Sequence, residues 1–294
     1  MEKQDPAVEF AFDADDLLGE GPVWSATEQA LYWVDIKYPR VRRWTPATGE
    51  QAAWSVPEEI GSMALRVQGG MVLALQHGFA TLDLEDGTVT TLHDPEPDQA
   101  GNRFNDGKCD AQGRFWAGTM DEEEKVASGS LYRLDADLES QRIVEGVICS
   151  NGLGWSPDGG LMYYTDTRTH RIDVFDFDAA TGDIANRRTF AEIPADHGVP
   201  DGLTVDAEGA LWVACWGGWR VIRFAPDGLV DREVMMPVPQ PTSCTFGGPS
   251  LSRLYVTSAK VGLDQAVLER APKSGCIFAI DTETRGQGDH HFAG

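Results

Sequence analysis

Four polar residues able to bind a metal ion recur in similar sequence contexts along this chain. The contexts are LGEGPVWS, RFNDGKCD, CSNGLGWS and VPDGLTVD, and the residues are Glu20, Asn105, Asn151 and Asp201. In each context a Ser or Asp follows five residues later, and a turn and a hydrophobic strand come next. Two carboxylates with two amide oxygens make an oxygen-rich set suited to a hard or borderline divalent cation. If the fold brings these residues together, they could form a metal centre. The alternative is that the Asn-Gly and Asp-Gly pairs only mark turns, although a turn has no need for Glu20.

The same position recurs six times, which predicts a closed circular repeat. Ser62 and Ser243 complete the set, and the successive spacings are 42, 43, 46, 50 and 42 residues. Four-stranded propeller blades recur at about 40–50 residues, and six such units account for the 294-residue chain. Equivalent residues of a closed repeat lie at the same radius and height, so the four candidate ligands are expected to meet. We call the six residues the repeat positions.

The strand pattern predicts an all-β fold, a six-bladed β-propeller with four-stranded blades and a central channel. Residues 1–294 are expected to form one domain, with 1–10 as a short flexible N-terminus. Two packed β-sandwiches are the alternative, but they would not produce a sixfold repeat. A short helix is expected near Leu263–Glu269. Runs rich in aromatic and β-branched residues follow the repeat positions and are bounded by turn residues: Ala30–Ile36, Gly70–Leu75, Arg114–Gly118, Leu161–Asp166, Leu211–Cys215 and Leu254–Ser258.

Composition excludes several classes of function. The net charge of −23 opposes nucleic-acid binding, which requires clustered Lys and Arg. The chain has no apolar run of 18 residues and its N-terminus has no signal core, so no membrane association is expected. Five cysteines without a C-x-x-C pair predict reduced thiols in the cytoplasm and argue against a Cys-based zinc site. The sequence leaves the oligomeric state open.

Two further features are candidates for contact with a substrate. Arg103 lies two residues before Asn105, and strand alternation puts both on the same side; a surface salt bridge is the alternative role for this arginine. The acidic run Asp121–Glu124 follows the strand expected to be innermost in the third blade, near the channel mouth. Such runs are mostly solvated, so one member at most needs to face a substrate. No G-x-S-x-G, P-loop or Ser/His/Asp arrangement is present.

Several motifs resemble those of a known family. They are NRFNDGK (102–108), WAGTM (116–120), SNGL (150–153), PDGL (200–203) and LWVACW (211–216). In this order they are similar to the senescence marker protein, gluconolactonase and luciferin-regenerating family, from about Leu17 to the C-terminus. The resemblance implies a six-bladed propeller with one divalent metal ion at the top of the central channel.

The resemblance also implies roles for individual residues. The metal ligands would be Glu20, Asn151 and Asp201, and the substrate-binding residues would be Arg103, Asn105 and Glu123. The register at Glu123 is the least secure, because this chain has DEEE where the family more often has A-x-E.

The implied activity is metal-dependent hydrolysis of aldonolactones, such as glucono-, galactono-, xylono- or arabinono-lactone. The metal would polarise the lactone carbonyl, with Asp201 or a metal-bound hydroxide as the base. Ca, Zn, Mn, Mg and Fe(II) all accept oxygen ligands, so the metal stays open, as does the sugar. A promiscuous arylesterase or phosphotriesterase and a non-catalytic metal-binding propeller are the alternatives. Retention of Arg103, Asn105 and Glu123 favours catalysis, because binding a cation alone does not need them.

Overall fold

The computed structural model describes residues 7–294, which form six separate four-stranded antiparallel sheets. The first strand of the chain is β1 (Val8–Phe12). Blades 1 to 3 are β2–β5 (Gly19–Ser25, Ala30–Asp35, Arg40–Trp44, Gln51–Ser55), β6–β9 (Ile60–Leu65, Met71–Leu75, Gly78–Leu82, Val89–His93) and β10–β13 (Asn102–Cys109, Phe115–Asp121, Gly129–Leu134, Ser140–Val147). Blades 4 to 6 are β14–β17 (Ser150–Trp155, Leu161–Asp166, Arg171–Asp178, Asp183–Glu192), β18–β21 (Val199–Val205, Leu211–Trp216, Arg220–Phe224, Val230–Met235) and β22–β24 (Pro241–Gly247, Arg253–Ser258, Ile277–Asp281) completed by β1.

The N-terminal strand closes the ring. β1 pairs with β24 as the outermost strand of blade 6, whose other three strands come from the C-terminal end of the chain. The inner strands of neighbouring blades pack side by side around the ring, including β22 against β2. The flexible N-terminus expected for residues 1–10 is therefore wrong from Val8 onward, and residues 1–6 lie outside the described part of the chain.

The innermost strand of each blade carries one repeat position and is irregular beside it. In all six inner strands the pairing register shifts at or next to that residue. A β-bulge bends the strand and redirects the side chain, which turns these residues away from the regular strand alternation.

The Ser or Asp five residues after a repeat position caps the turn between the first two strands. Asp110 accepts hydrogen bonds from the backbone N–H of Gln112 and Arg114 (both 3.0 Å) and from Trp116 Nε1 at 3.0 Å. Asp206 accepts from residues at the same three offsets, Glu208, Ala210 and Trp212. The repeated five-residue spacing is thus a turn-capping device, and it fixes the register of the hairpin that carries each candidate ligand.

Aromatic rings fill the spaces between neighbouring blades. Trp24 stacks on Tyr255 with ring centroids 5.5 Å apart, and Trp116 meets Trp155 at 6.0 Å. The short helix α1 (Gln265–Arg270) lies between β23 and β24 and is capped by Asp264 Oδ1, which accepts from Val267 N at 2.8 Å. No helix of residues 7–294 is long and apolar enough to cross a membrane.

The C-terminal tail, residues 285–294, crosses the turn end of the propeller and bonds to all six blades. Phe292 is fully buried between blades 2 and 3. The tail's hydrogen bonds reach Leu251 in blade 6, Ala207 in blade 5, Trp155 in blade 4, Trp24 in blade 1, Leu65 in blade 2 and Gly113 in blade 3.

Candidate metal centre

One cavity at the end opposite the tail collects the candidate ligands. It has a volume of about 140 Å³. Four of the repeat positions line it, and Ser62 and Ser243 are not among its lining residues; the four are Glu20, Asn105, Asn151 and Asp201. The convergence expected from the repeat is present in the described structure.

Two carboxylates in this cavity, those of Glu20 and Asp201, are buried and repel each other electrostatically. Burial, together with the charge of Asp106, raises the pKa of Glu20 to about 8. Burial raises the pKa of Asp201 well above its ordinary value, and the charges of Glu20 and Asp106 add to the effect. Removing a carboxylate from water costs free energy unless a positive charge compensates. The pair therefore favours either protonation or a bound cation.

Asp106 is a third buried carboxylate that sequence reasoning missed. It follows Asn105 at the bulge of β10, and its Oδ1 accepts from Gly107 N at 2.7 Å. Burial raises its pKa, while the ammonium group of Lys108 acts in the opposite direction. The N-D-G sequence gave a signal, but it reads first as a turn, and only the bulge directs Asp106 towards the other two carboxylates.

Asn151 presents an unpaired carbonyl oxygen. Its side chain is 5% exposed, and its Nδ2 donates to Thr167 Oγ1 at 2.9 Å. Its Oδ1 is buried and has no hydrogen-bond partner. A buried carbonyl oxygen without a partner is costly, and this one belongs to a residue that lines the cavity with two carboxylates, so it fits a role as a cation ligand.

Two aspartates hold the loops that bring Glu20 and Asn151 to the cavity. Asp35, at the end of β3, accepts from the N–H groups of residues 17 and 18 at 3.3 and 3.2 Å. Asp166, at the end of β15, accepts from residues 148 and 149 at 3.2 and 3.1 Å. In both blades the bonded groups lie three and two residues before the candidate ligand, so the same clamp positions both.

Arg103 and Asn105 form a separate pair beside these groups. Asn105 Nδ2 donates to the carbonyl of Ser150 at 2.7 Å, and its Oδ1 accepts from Arg103 Nη1 at 2.8 Å. Both ends of the Asn105 amide are therefore occupied, in contrast to Asn151. The Nε atom of Arg103 lies 3.7 Å from Oε2 of Glu59, and the Arg103 side chain is 8% exposed. Arg103 does pair with Glu59, as the alternative role supposed, but not at the surface, because Arg103 is buried and lines the cavity.

The acidic run contributes Glu124, and Glu123 is directed elsewhere. The Glu123 side chain is 70% exposed and pairs with Lys125, whereas Glu124 lines the cavity and pairs with Arg168 at 2.5 Å. Asp121 caps the turn through Lys125 N at 2.8 Å, and Glu124 adopts a left-handed backbone with φ of 53°. This reversal shifts the inward-facing residue by one position. The run also follows β11, the second strand of its blade, and not the innermost strand.

Apolar side chains complete the cavity wall. They come from loops and strand ends of blades 1, 3 and 5: Leu18, Ile36, Met120, Val199 and Trp216. Small-molecule sites commonly combine such walls with a few convergent polar groups.

The polar groups fit a divalent cation with oxygen ligands. Glu20 and Asp201 supply negative charge, and Asn151 supplies the unpaired carbonyl oxygen. Among residues 7–294 there is no group of three His, Cys, Asp or Glu side chains arranged to hold a metal. A cation held here by Glu20, Asn151 and Asp201 would have three protein ligands, one of them an amide, and would leave other positions to water or substrate.

Comparison with known proteins identifies the family. The model of the SMP-30/Gluconolactonase/LRE-like region matches residues 18–260. The chain belongs to this family. Regucalcin of Xenopus laevis is 46% identical over 269 residues, which cover 90% of each chain.

Two solved structures of this family share the fold. A luciferin-regenerating enzyme is 31% identical, with a TM-score of 0.91 over 98% of this chain and 99% of that chain. The calcium-binding protein regucalcin of Agrobacterium tumefaciens is 29% identical, with a TM-score of 0.93 over 98% of this chain and 97% of that chain. The expected resemblance and the six-bladed propeller are both confirmed.

Proposed function

We propose that this member of the SMP-30/gluconolactonase/LRE-like family is a divalent-cation-dependent hydrolase that opens aldonolactones to aldonic acids. The observation that carries the proposal is the presence, in one cavity, of two buried carboxylates and an unpaired amide oxygen beside a separate polar pair. Glu20, Asn151 and Asp201 would hold the cation, whereas Arg103 and Asn105 are already oriented by their own contacts. A protein that only binds a cation has no need for the second pair.

The cation and the polar residues of the cavity would bind different ends of the substrate. A divalent cation at this centre would polarise the lactone carbonyl and stabilise negative charge on its oxygen. Arg103 and Asn105 would bind ring hydroxyls, for which a guanidinium offers several donors and an amide offers both a donor and an acceptor. Glu124 and Arg168, at the edge of the cavity, would bind hydroxyls farther from the reacting carbon.

Asp201 is the proposed general base. It would accept a proton from the water that attacks the carbonyl carbon, and the carbonyl carbon–ring oxygen bond then breaks. The departing ring oxygen takes up that proton and becomes a hydroxyl group of the aldonic acid. Asp201 lines the same cavity as Arg103 and Asn105, which places its carboxylate within reach of a bound lactone, and the apolar wall at Trp216 and Met120 limits competing water.

The proposal also includes Ca²⁺ as the first candidate cation and the cytoplasm as the compartment. The relative from Agrobacterium tumefaciens is described as calcium-binding, which makes Ca²⁺ the first cation to test, ahead of Zn, Mn, Mg and Fe(II). The five cysteines are all unpaired and buried, which supports a reducing, cytoplasmic location.

The test measures lactone opening with a pH indicator. Metal-stripped protein would be assayed on a panel of five- and six-membered aldonolactones and on unsubstituted lactones of the same ring sizes, with cations added back and a cation-only blank subtracted. We expect turnover only with added cation and a strong preference for the hydroxylated lactones, since plain lactones have no hydroxyl groups to use the remaining hydrogen-bonding capacity of Arg103 and Asn105. Asp201→Asn, which keeps the side-chain shape and removes the charge, should lose both cation binding and turnover.

Two results would reject the proposal in different ways. Equal rates on plain and hydroxylated lactones would favour a promiscuous esterase. Tight cation binding without turnover of any lactone would favour a binding or regulatory propeller.

A further inference from the structure

One buried hydroxyl group makes the shortest hydrogen bond to the Asn151 amide, whose Nδ2 also lies 3.9 Å from Cys149 Sγ. Thr167, the first residue of a short 3₁₀ turn after β15, is buried. Its Oγ1 lies 2.8 Å from the carbonyl oxygen of Pro200 and 2.9 Å from Asn151 Nδ2.

The hydrogen-bond chemistry of these three groups allows one arrangement. A backbone carbonyl only accepts, so the single hydroxyl hydrogen of Thr167 points to Pro200. The oxygen of Thr167 must then accept, and the Asn151 amide must turn its NH₂ end towards it. The other end, Oδ1, is left facing the cavity without a partner. An amide turned the other way would put two acceptors against each other and two donor hydrogens towards the cation.

We propose that Thr167 is a positioning residue for the cation centre, which fixes Asn151 Oδ1 towards the cation and ties it to the strand that carries Asp201. This inference rests on the proposed cation centre and goes beyond it. Pro200 directly precedes Asp201, so the hydroxyl links a ligand of blade 4 to a ligand of blade 5. Groups that orient a metal ligand commonly change metal affinity by about 10- to 100-fold when they are removed.

The test compares three substitutions by isothermal titration calorimetry of the metal-stripped protein with Ca²⁺ and Mn²⁺. Thr167→Val keeps the side-chain shape and removes the hydroxyl; it should weaken binding roughly 10- to 100-fold. Thr167→Ser keeps the hydroxyl and should bind like the wild type. Thr165→Val is the matched control: Thr165 is buried on β15 two residues away, and its Oγ1 has no hydrogen-bond partner, so its loss should leave the affinity unchanged.

A double substitution separates orientation from general packing. In Asn151→Asp both terminal atoms are oxygens, so turning the group no longer exchanges an oxygen for a nitrogen. Thr167→Val should therefore weaken binding less in that background than in the wild type. If Thr167→Val does not fold, as judged by circular dichroism, Thr167→Ala replaces it in both backgrounds.

The outcomes distinguish this inference from the proposal beneath it. Wild-type affinity in Thr167→Val, or an equal loss in Thr165→Val, overturns the positioning role and leaves the cation centre standing. A wild-type protein that binds neither cation overturns the centre and the positioning role together. Loss in Thr167→Val with recovery in Thr167→Ser supports the inference whether or not the protein turns over a lactone.

Discussion

The contacts of Arg103 separate it from the candidate cation ligands in the same cavity. Its Nη1 donates to Asn105 Oδ1 and to the Phe104 carbonyl, and Glu59 lies 3.7 Å from its Nε. None of these contacts involves a candidate cation ligand. The charge of Arg103 lowers the pKa of Glu20, but a positive charge does not help to hold a cation, so the guanidinium is assigned to the substrate.

Replacing Arg103 should lower kcat/KM and leave cation binding intact. Loss of a charged hydrogen bond of about 1.5–3 kcal/mol corresponds to a decrease of roughly 10- to 100-fold in Arg103→Ala. Arg103→Lys should restore only part of it, because an ammonium group lacks the planar fork of the guanidinium. Cation content measured by mass spectrometry is the control. Full activity in Arg103→Ala would remove this residue from the substrate site.

The buried carboxylates predict how pH changes cation binding. Because burial and repulsion raise the pKa of Glu20 to about 8 and raise those of Asp106 and Asp201, the cation-free folded protein holds protons at pH 7. The unfolded chain, with ordinary pKa values, does not. A cation displaces these protons, so its apparent affinity should increase as the pH rises towards about 8.

The same pKa shifts predict whether the folded protein becomes more or less stable as the pH rises. The folded state binds more protons than the unfolded state between the ordinary pKa and about 8, so this cluster makes the cation-free protein less stable as pH rises through that window.

Calorimetric titration with Ca²⁺ at pH 7, in two buffers of different ionisation enthalpy, measures the protons that the cation displaces. Asp106→Asn, which removes one charge of the cluster and is not a proposed ligand, should release fewer, and the absence of proton release in the wild type would contradict the shifts.

At the scale of elements, the acidic loop after β11 spans the cavity mouth between two blades. Glu122 lies 3.5 Å from Lys37 of blade 1, and Glu124 pairs with Arg168 of blade 4. Exposed pairs of this kind stabilise a fold by only about 0–1 kcal/mol. The Glu124–Arg168 pair lines the cavity, so this pair is more relevant to binding than to folding.

This loop offers a matched pair of substitutions. Glu124→Gln removes a carboxylate that lines the cavity, whereas Glu123→Gln removes one that is mostly exposed. We expect a higher KM, by about tenfold, for aldonolactones in Glu124→Gln and no change in Glu123→Gln. Both variants should unfold at the wild-type temperature. The reverse result would restore the role that the family resemblance gives to Glu123.

The repeat determined most of the fold and the convergence of the ligands, because both depend on spacing. Five of the six predicted second strands end within one residue of their observed counterparts or at the same residue; β11 extends three residues further, to Asp121. Asp106 and Thr167 were not found from the sequence. Asp106 is redirected by a bulge, and Thr167 acts through hydrogen bonds to residues 16 and 33 positions away. Alternation and spacing do not encode such contacts.

The shift from Glu123 to Glu124 has a similar cause. Strand alternation ends at Asp121, whose side chain then organises a turn through three backbone N–H groups. The direction of each later side chain depends on the φ values inside that turn, including the left-handed value at Glu124. A motif aligned by position alone cannot follow this change.

At the scale of the whole molecule, the two ends of the ring have separate functions. The candidate centre lies at one end, and the C-terminal tail covers the other and bonds to all six blades. β1 closes the ring through one blade only. The tail is therefore expected to stabilise the propeller without contributing to cation binding.

Phe292 is the residue that tests this separation. It is fully buried against blades 2 and 3, and truncation of a buried aromatic ring costs about 3–5 kcal/mol. For a protein of this size that corresponds to a decrease of roughly 5–12 °C in the melting temperature, measured by differential scanning calorimetry. His290→Ala, at an exposed position of the same tail, should leave the melting temperature unchanged.

At 25 °C, Phe292→Ala should keep wild-type Ca²⁺ affinity, because the hydrogen bonds and packing of Phe292 lie at the opposite end of the channel from Asn151 and Asp201. Unchanged melting in Phe292→Ala would show that the ring closes without the tail, and weakened Ca²⁺ affinity at an unchanged fold would show that the two ends are coupled.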